Sequence, residues 1–158
     1  MGQGISVKCN KCGYSFDACM GVGMLFPSVY QENVEKMKSG ELGQEGKEFF
    51  EKYPNGVINS EQAVAKCRKC GNYDIVDDLT MYKPKEGVKV PDEVAYIFED
   101  DIKESYEKYM DYPHACSKCG GHTKVYKSFA KKAMKGELSC PKCDGFMMMD
   151  FSQMIMWD

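Results

Sequence analysis

The sequence predicts a small α+β protein made of two β-hairpin modules, each built on four cysteines, the first enlarged by a helical insertion. Three observations lead there. The motif C-x-x-C occurs four times, in KCNKCG (8–13), KCRKCG (66–71), ACSKCG (115–120) and SCPKCD (139–144). The 54 residues between the first and second copies hold two helix-like stretches. After the second copy the chain alternates in the manner of a strand.

In chain order, Ser28 is placed to cap a helix through VYQENVEKMK (29–38), with Gly40 as its stop. A second helix fits GQEGKEFFEKY (43–53), closed by Pro54 and the Asn55-Gly56 turn. The insertion so defined covers about 28–54, and Val34, Met37, Phe49, Phe50 and Tyr53 would face the core of the cysteine module. Residues 72–82 read as β structure and KPKEGVKVP (83–91) as a linker. VAYIF (94–98) reads as a strand or a helix start. DIKESYEKYM (101–110) reads as a helix with Ile102, Tyr106 and Tyr109 or Met110 on one side, stopped by Pro113. The domain boundary is expected at 84–91, giving domains 1–86 and 87–158, with the second cysteine module over about 112–158. KMKSGEL (36–42) and KAMKGEL (132–138) echo each other, which fits either a duplicated module or chance.

With 158 residues, 43% hydrophobic and 12% aromatic, the chain can bury a core in one or two compact domains. No apolar run reaches the roughly 20 residues of a membrane span. No basic-then-apolar leader is present. A soluble, cytoplasmic protein without a membrane partner is expected. MGQGIS fits the myristoylation pattern M-G-x-x-x-S/T, which fixes too few positions to carry weight.

Repeated C-x-x-C in a reducing compartment reads as metal binding, where an oxidising one would favour disulfides. Two intervening residues let both sulfurs face one ion while backbone N–H groups point at them. Glycine after the second cysteine permits positive φ; Gly13, Gly71 and Gly120 meet this, and the fourth unit offers Asp144 then Gly145. Four units make two closed shells, suited to two Zn2+ ions, with Fe as an alternative in the same thiolate geometry. A cross-brace would join first to third and second to fourth units; a nested arrangement would join first to fourth and second to third. Sequential pairing is favoured, because the 20 residues between Cys119 and Cys140 fit C-x2-C-x15–20-C-x2-C. It gives site 1 as Cys9, Cys12, Cys67 and Cys70, and site 2 as Cys116, Cys119, Cys140 and Cys143. Cys19 is left over, among apolar neighbours that suit a buried thiol. Two loaded sites take the formal charge from −3 to about −7. Lys11, Lys69, Lys118 and Lys142, each preceding a second cysteine, would offset part of the −2 at each site.

The units Cys9-Asn10-Lys11-Cys12-Gly13, Cys67-Arg68-Lys69-Cys70-Gly71, Cys116-Ser117-Lys118-Cys119-Gly120 and Cys140-Pro141-Lys142-Cys143 resemble the knuckles of zinc ribbons and rubredoxins. The whole chain is similar to a group of small uncharacterised bacterial proteins that carry two such ribbons. The resemblance implies β-hairpin ribbons and metal held by four cysteines, and it implies no activity. The cysteine-rich domain of J-domain chaperones needs C-x-x-C-x-G-x-G, which CNKCGYSF does not match.

Nothing marks an enzyme. His114 and His122 flank the third knuckle, but eight cysteines already fill both shells, so they read as surface or supporting residues. The deaminase, P-loop, G-x-S-x-G and H-E-x-x-H patterns are absent, and no small-molecule substrate is evident. Asp77-Asp78 and Glu99-Asp100-Asp101 read as solvated turns or helix starts. FMMMD (146–150) and MIMW (154–157) could be soft Cu(I) ligands, but Met147, Met149 and Phe151 on one strand face suit a core.

Binding is the remaining class. Residues 116–142 hold seven lysines against Glu137 alone. Lys124, Tyr126, Lys127, Phe129, Lys131 and Lys132 combine charge and rings as single-stranded nucleic-acid surfaces do. The acidic first half, through its helical insertion, suits a protein partner, so a protein–protein or nucleic-acid binding or adaptor module is expected. Electron transfer through iron is a third reading.

Overall fold

The computed structural model describes residues 2–152 and 155, so MIMW falls outside the described residues except for Ile155. In chain order the elements are β1 (Gln3–Cys9), β2 (Ser15–Met20), α1 (Phe26–Ser39), α2 (Gln44–Lys52), β3 (Val57–Ile58), β4 (Gln62–Cys67) and β5 (Tyr73–Asp77). There follow β6 (Met81–Pro84), α3 (Glu99–Ser105), β7 (Tyr106–Met110), β8 (Thr123–Val125), α4 (Phe129–Lys135), β9 (Leu138–Ser139) and β10 (Phe146–Met149). The protein is thus a small α+β chain with antiparallel sheets. Among the described residues no helix is long and apolar enough to cross a membrane.

The chain folds into two compact units, and both are discontinuous in sequence. The first comprises Met1–Gly23, Gln62–Val76 and Pro113–Asp158; the second comprises Met24–Glu61 and Asp77–Tyr112. This departs from the division expected at 84–91. The segment 83–91 is no linker between units: it begins with β6 and continues within the second one.

The first unit holds two sheets, ordered β2-β1-β10-β9 and β5-β4-β8. Alternation decides their faces. Ile5, Val7 and Met147 are fully buried, whereas Lys8 and Met148, paired across β1 and β10, are exposed. Helix α4 adds Phe129 and Ala133 to the core beside Val64 and Leu138. Phe129 lies edge-on to Phe16 and Tyr73, at 6.0 and 5.7 Å between centroids. Phe151, expected in this core, lies beyond the end of β10 and is 85% exposed; Met149 is half-buried. Cys19 on β2 is also only half-buried.

The helical insertion, expected to pack on the core of the cysteine module, belongs instead to the second unit. Helix α1 begins at Phe26, ahead of Ser28, because Pro27 fits its first turn without needing an N–H partner. Phe26, Tyr30, Asn33 and Met37 repeat on its buried face, while Val34 is only half-buried. Gly40 ends it in the left-handed conformation, φ 83°. Gly136 ends α4 in the same way, φ 67°. The echo between 36–42 and 132–138 is thus a shared helix stop, not a repeated module. Gly46 lets α2 approach α1: a Cβ there would stand 3.0 Å from Cγ of Met37.

Two expected elements differ. VAYIF forms no strand; Val94 and Ile97 pack on the cluster of Val57, Tyr82, Ile102 and Tyr106 without strand hydrogen bonds. The helix expected over 101–110 stops at Ser105, and Tyr106–Met110 becomes β7 against β6. Cross-strand pairing with β6, reinforced by Lys83 and Glu107 at 2.9 Å, overrides the helical periodicity. Asp78, expected in solvent, is buried, accepting hydrogen bonds from the N–H and hydroxyl of Thr80 and from Nδ2 of Asn59. Glu99, Asp100 and Asp101 do occupy the first turn of α3, where the helix dipole favours acids.

Truncating Phe129 to alanine should cost about 3–5 kcal/mol. Denaturant unfolding at fixed metal content measures it; a loss near zero would mean the ring is not in the core.

Candidate metal centres

Each knuckle turns at a strand end. Cys9 ends β1 and Cys67 ends β4, and in both the cysteine N–H closes the turn onto a carbonyl five residues on, Tyr14 at 2.7 Å and Asn72 at 2.8 Å. The glycines behind the second cysteines, Gly13 and Gly71, donate back to the carbonyls of Cys9 and Cys67 at 3.3 and 3.1 Å, with φ 73° and 74°. The third knuckle uses Gly120 at φ 68°. The fourth differs from expectation, because neither Asp144 nor Gly145 takes positive φ.

Antiparallel strand pairing brings the knuckles together in twos. In the register of β1 with β10, Cys9 stands opposite Met147; in that of β4 with β8, Cys67 stands opposite Thr123. The clusters are therefore Cys9, Cys12, Cys140 and Cys143, and Cys67, Cys70, Cys116 and Cys119. Within each, the four sulfurs lie within 4.8 Å of one another. This is the nested pairing. It corrects the sequential one, which placed Cys9 and Cys12 with Cys67 and Cys70. Spacing favoured the short gap, but loop closure grows only with the logarithm of length. Spanning 127 residues instead of 20 costs about 2 kcal/mol more, and the β1–β10 ladder offsets it.

The spacing of the sulfurs fits a metal. Sγ of Cys9 lies 3.6 Å from Cys143, Cys12 3.6 Å from Cys140, Cys67 3.6 Å from Cys119, and Cys70 3.7 Å from Cys116. A tetrahedron of sulfurs about 2.3 Å from a central ion has edges of about 3.8 Å. A disulfide would bring two sulfurs to about 2.05 Å. All nine cysteines are free. Two four-cysteine metal-binding centres follow.

The centres share one plan. The N–H of the residue two after the first cysteine points at its sulfur: Lys11 on Cys9 at 3.4 Å, Lys69 on Cys67 at 3.3 Å, Lys142 on Cys140 at 3.4 Å. That N–H, more than the lysine side chain, serves the sulfur. Nζ of Lys11 pairs with Asp144 at 2.5 Å, and Nζ of Lys142 sits over the Tyr14 ring at 5.0 Å. Gly121, which the motif does not single out, and Gly145, expected only to supply positive φ, play equivalent parts. Each donates to the sulfur of the second cysteine, Cys119 at 3.4 Å and Cys143 at 3.3 Å. A Cβ on Gly121 would stand 3.1 Å from Cβ of Lys69, and one on Gly145 2.8 Å from Cβ of Lys11. Asp74, also unmarked in sequence, holds the third knuckle by accepting from the N–H and hydroxyl of Ser117 at 3.1 and 2.5 Å.

These donors polarise the thiols. Backbone N–H groups of Cys12 and Lys11 lower Cys9 to about 6, against burial. Those of Cys70 and Lys69 do the same for Cys67, also to about 6. For Cys70 the N–H of Asn72 lowers the value, but burial and the thiols of Cys119, Cys116 and Cys67 outweigh it and push it up to about 12. Cys143 reaches about 12 likewise, against the N–H of Gly145. Each centre thus pairs one thiol held low, Cys9 or Cys67, with one held high, Cys143 or Cys70. A bound cation would favour the ionised form of both.

No family model matches the chain, and neither a curated protein nor a solved structure does. The centres are accordingly read from their own geometry. His114 is buried and His122 exposed, and neither belongs to a metal-ligand cluster among the described residues.

The expected nucleic-acid residues separate. Lys124, Lys127 and Lys131 are exposed, and Tyr126 and Lys132 are half-buried. Phe129, at 1% exposure, is a core residue and leaves the set. Lys66, which the composition did not mark, faces Lys124 across β4 and β8. Its Nζ donates to Ser139 Oγ at 2.7 Å and lies 5.4 Å from the rings of both Tyr73 and Tyr126. Charge divides between the units. The first carries twelve Lys and Arg against six Asp and Glu, the second nine against eighteen.

Paired substitutions test the nesting. C9S/C140S should bind one metal equivalent, whereas C9S/C67S should bind none; metal analysis of the purified variants gives the opposite order if pairing is sequential.

Proposed function

We infer that the protein is a non-enzymatic binding module stiffened by two structural zinc ions. The observation behind this is closure: each tetrad offers four sulfurs at tetrahedral spacing and leaves no position for a substrate. Zinc held this way contributes its binding energy to the fold. The zinc-ribbon reading draws support from the local plan, in which a hairpin such as β1–β2 meets a returning strand at the knuckle. Nine free cysteines suit a reducing cytoplasm.

The binding face best supported is the basic one, for single-stranded nucleic acid. Lys66 and Lys124 stand opposite one another across a ladder, where like charges repel unless an anion joins them. Tyr126 beside them has Nζ of Lys66 at 5.4 Å and of Lys132 at 5.9 Å from its ring. A second reading, iron-based electron transfer, draws on Cys12 and Cys119, which are exposed and would carry an electron between each centre and the surface.

Protein purified from iron-replete cells should be colourless and contain two zinc equivalents; a red sample absorbing in the visible would instead favour iron. Retention on single-stranded DNA should weaken with salt and vanish in K124E/K127E/K131E/K132E. Failure of the unmodified protein to bind at low salt would reject the nucleic-acid face while leaving the zinc reading intact.

A further inference from the structure

The second unit has a groove of about 440 Å³ between α1 and the segment 91–95. Tyr30, Val34, Phe50 and Val94 supply the apolar part of its lining. Gln31 fixes the facing wall, donating from Nε2 to the carbonyl of Ala95 at 3.4 Å. The rim is acidic: Glu35, Asp92 and Glu93 line it against Lys38 alone. Nζ of Lys38 lies over the Phe50 ring, 5.4 Å from its centroid. The three carboxylates are exposed and take part in no ion pair among the described residues, whereas Glu32 on the same helix is paired with Lys36 at 2.5 Å. Beyond the groove, at the start of α1, Met24 and Leu25 are 78% and 74% exposed, and Tyr96 and Phe98 rest on Phe26 with part of each ring uncovered.

We propose that this groove docks a basic peptide segment of a partner protein, with apolar side chains on its apolar lining and lysines or arginines at its rim. Charge selects the occupant. The unit carries a formal −9, which repels a phosphate backbone and attracts a cationic chain. Shape selects it too. From Leu25 to Lys38 the helix runs about 20 Å, the span of an extended peptide of about six residues. Apolar anchors explain why Leu25, Tyr96 and Phe98 stay uncovered beside an acidic rim, which a polyamine or free lysine would not need. This surface is independent of the metal reading, since no cysteine lies in it.

The test uses the full metal-loaded chain and a labelled hexapeptide alternating lysine with leucine and phenylalanine, followed by fluorescence anisotropy. E35K/D92K/E93K should weaken binding at least about tenfold. The charge-matched control E41K/E86K/E104K, on exposed acids away from the groove, should change it less than about twofold. Unchanged thermal unfolding in both variants establishes that they fold. Hexalysine binding as tightly as the apolar peptide, equal weakening by the two variants, or no binding at low salt would each overturn the proposal. Metal content is read from the same samples, so a failure here is distinct from a failure of the zinc assignment.

Discussion

Four sulfurs within 4.8 Å of one another in each of two clusters form an arrangement that carbon-based packing does not maintain. Thiolates at that distance repel, and the knuckle turns place little apolar mass between them. A metal ion at the centre would turn repulsion into four bonds, and the strand ends, the glycine turns and the N–H donors surround the place it would take. One of the two clusters is continuous with the core of the first unit. Cys9 and Cys140, ligands of one centre, belong to the same buried cluster as Val7, Leu138 and Met147. Metal coordination and hydrophobic burial here stabilise one structure, and removing either should loosen the other.

The metal ligands were legible in the sequence because their chemistry is local. C-x-x-C-G prescribes a turn within six residues, and Gly13, Gly71 and Gly120 take the positive φ it needs. Which knuckle meets which was not legible, because that is decided by the pairing of β1 with β10 and β4 with β8. Gap length is a weak guide when closure entropy grows so slowly. Gly121, and the part that Gly145 plays, were hidden for a related reason. Their need for a missing side chain arises from the opposite knuckle, at Lys69 and Lys11.

Elsewhere the same division holds. Helices α1 and α2 follow from periodicity and from the local stops at Gly40 and Pro54, the second helix ending just before, at Lys52. Residues 106–110 carry a helical pattern and become a strand, because β6 offers a ladder and an opposite charge at Lys83. Phe129 looked like an exposed ring among lysines, yet α4 turns it inward while Lys131 remains outside. Composition records which residues are near in sequence; a short helix then sorts them onto opposite faces.

The nested order of the knuckles also sets a timetable for synthesis. Cys9 and Cys12 leave the ribosome first but meet their partners only when Cys140 and Cys143 have emerged. Meanwhile Cys67, Cys70, Cys116 and Cys119 can close their centre, and the second unit, complete at Tyr112, can fold before either. During that interval the first knuckle is an open dithiol, with Cys9 not yet ligated and available to metal or to oxidant. The centre that joins the knuckles following β1 and β9, from opposite ends of the strand order, is therefore the last to form, and the step most exposed to a shortage of metal.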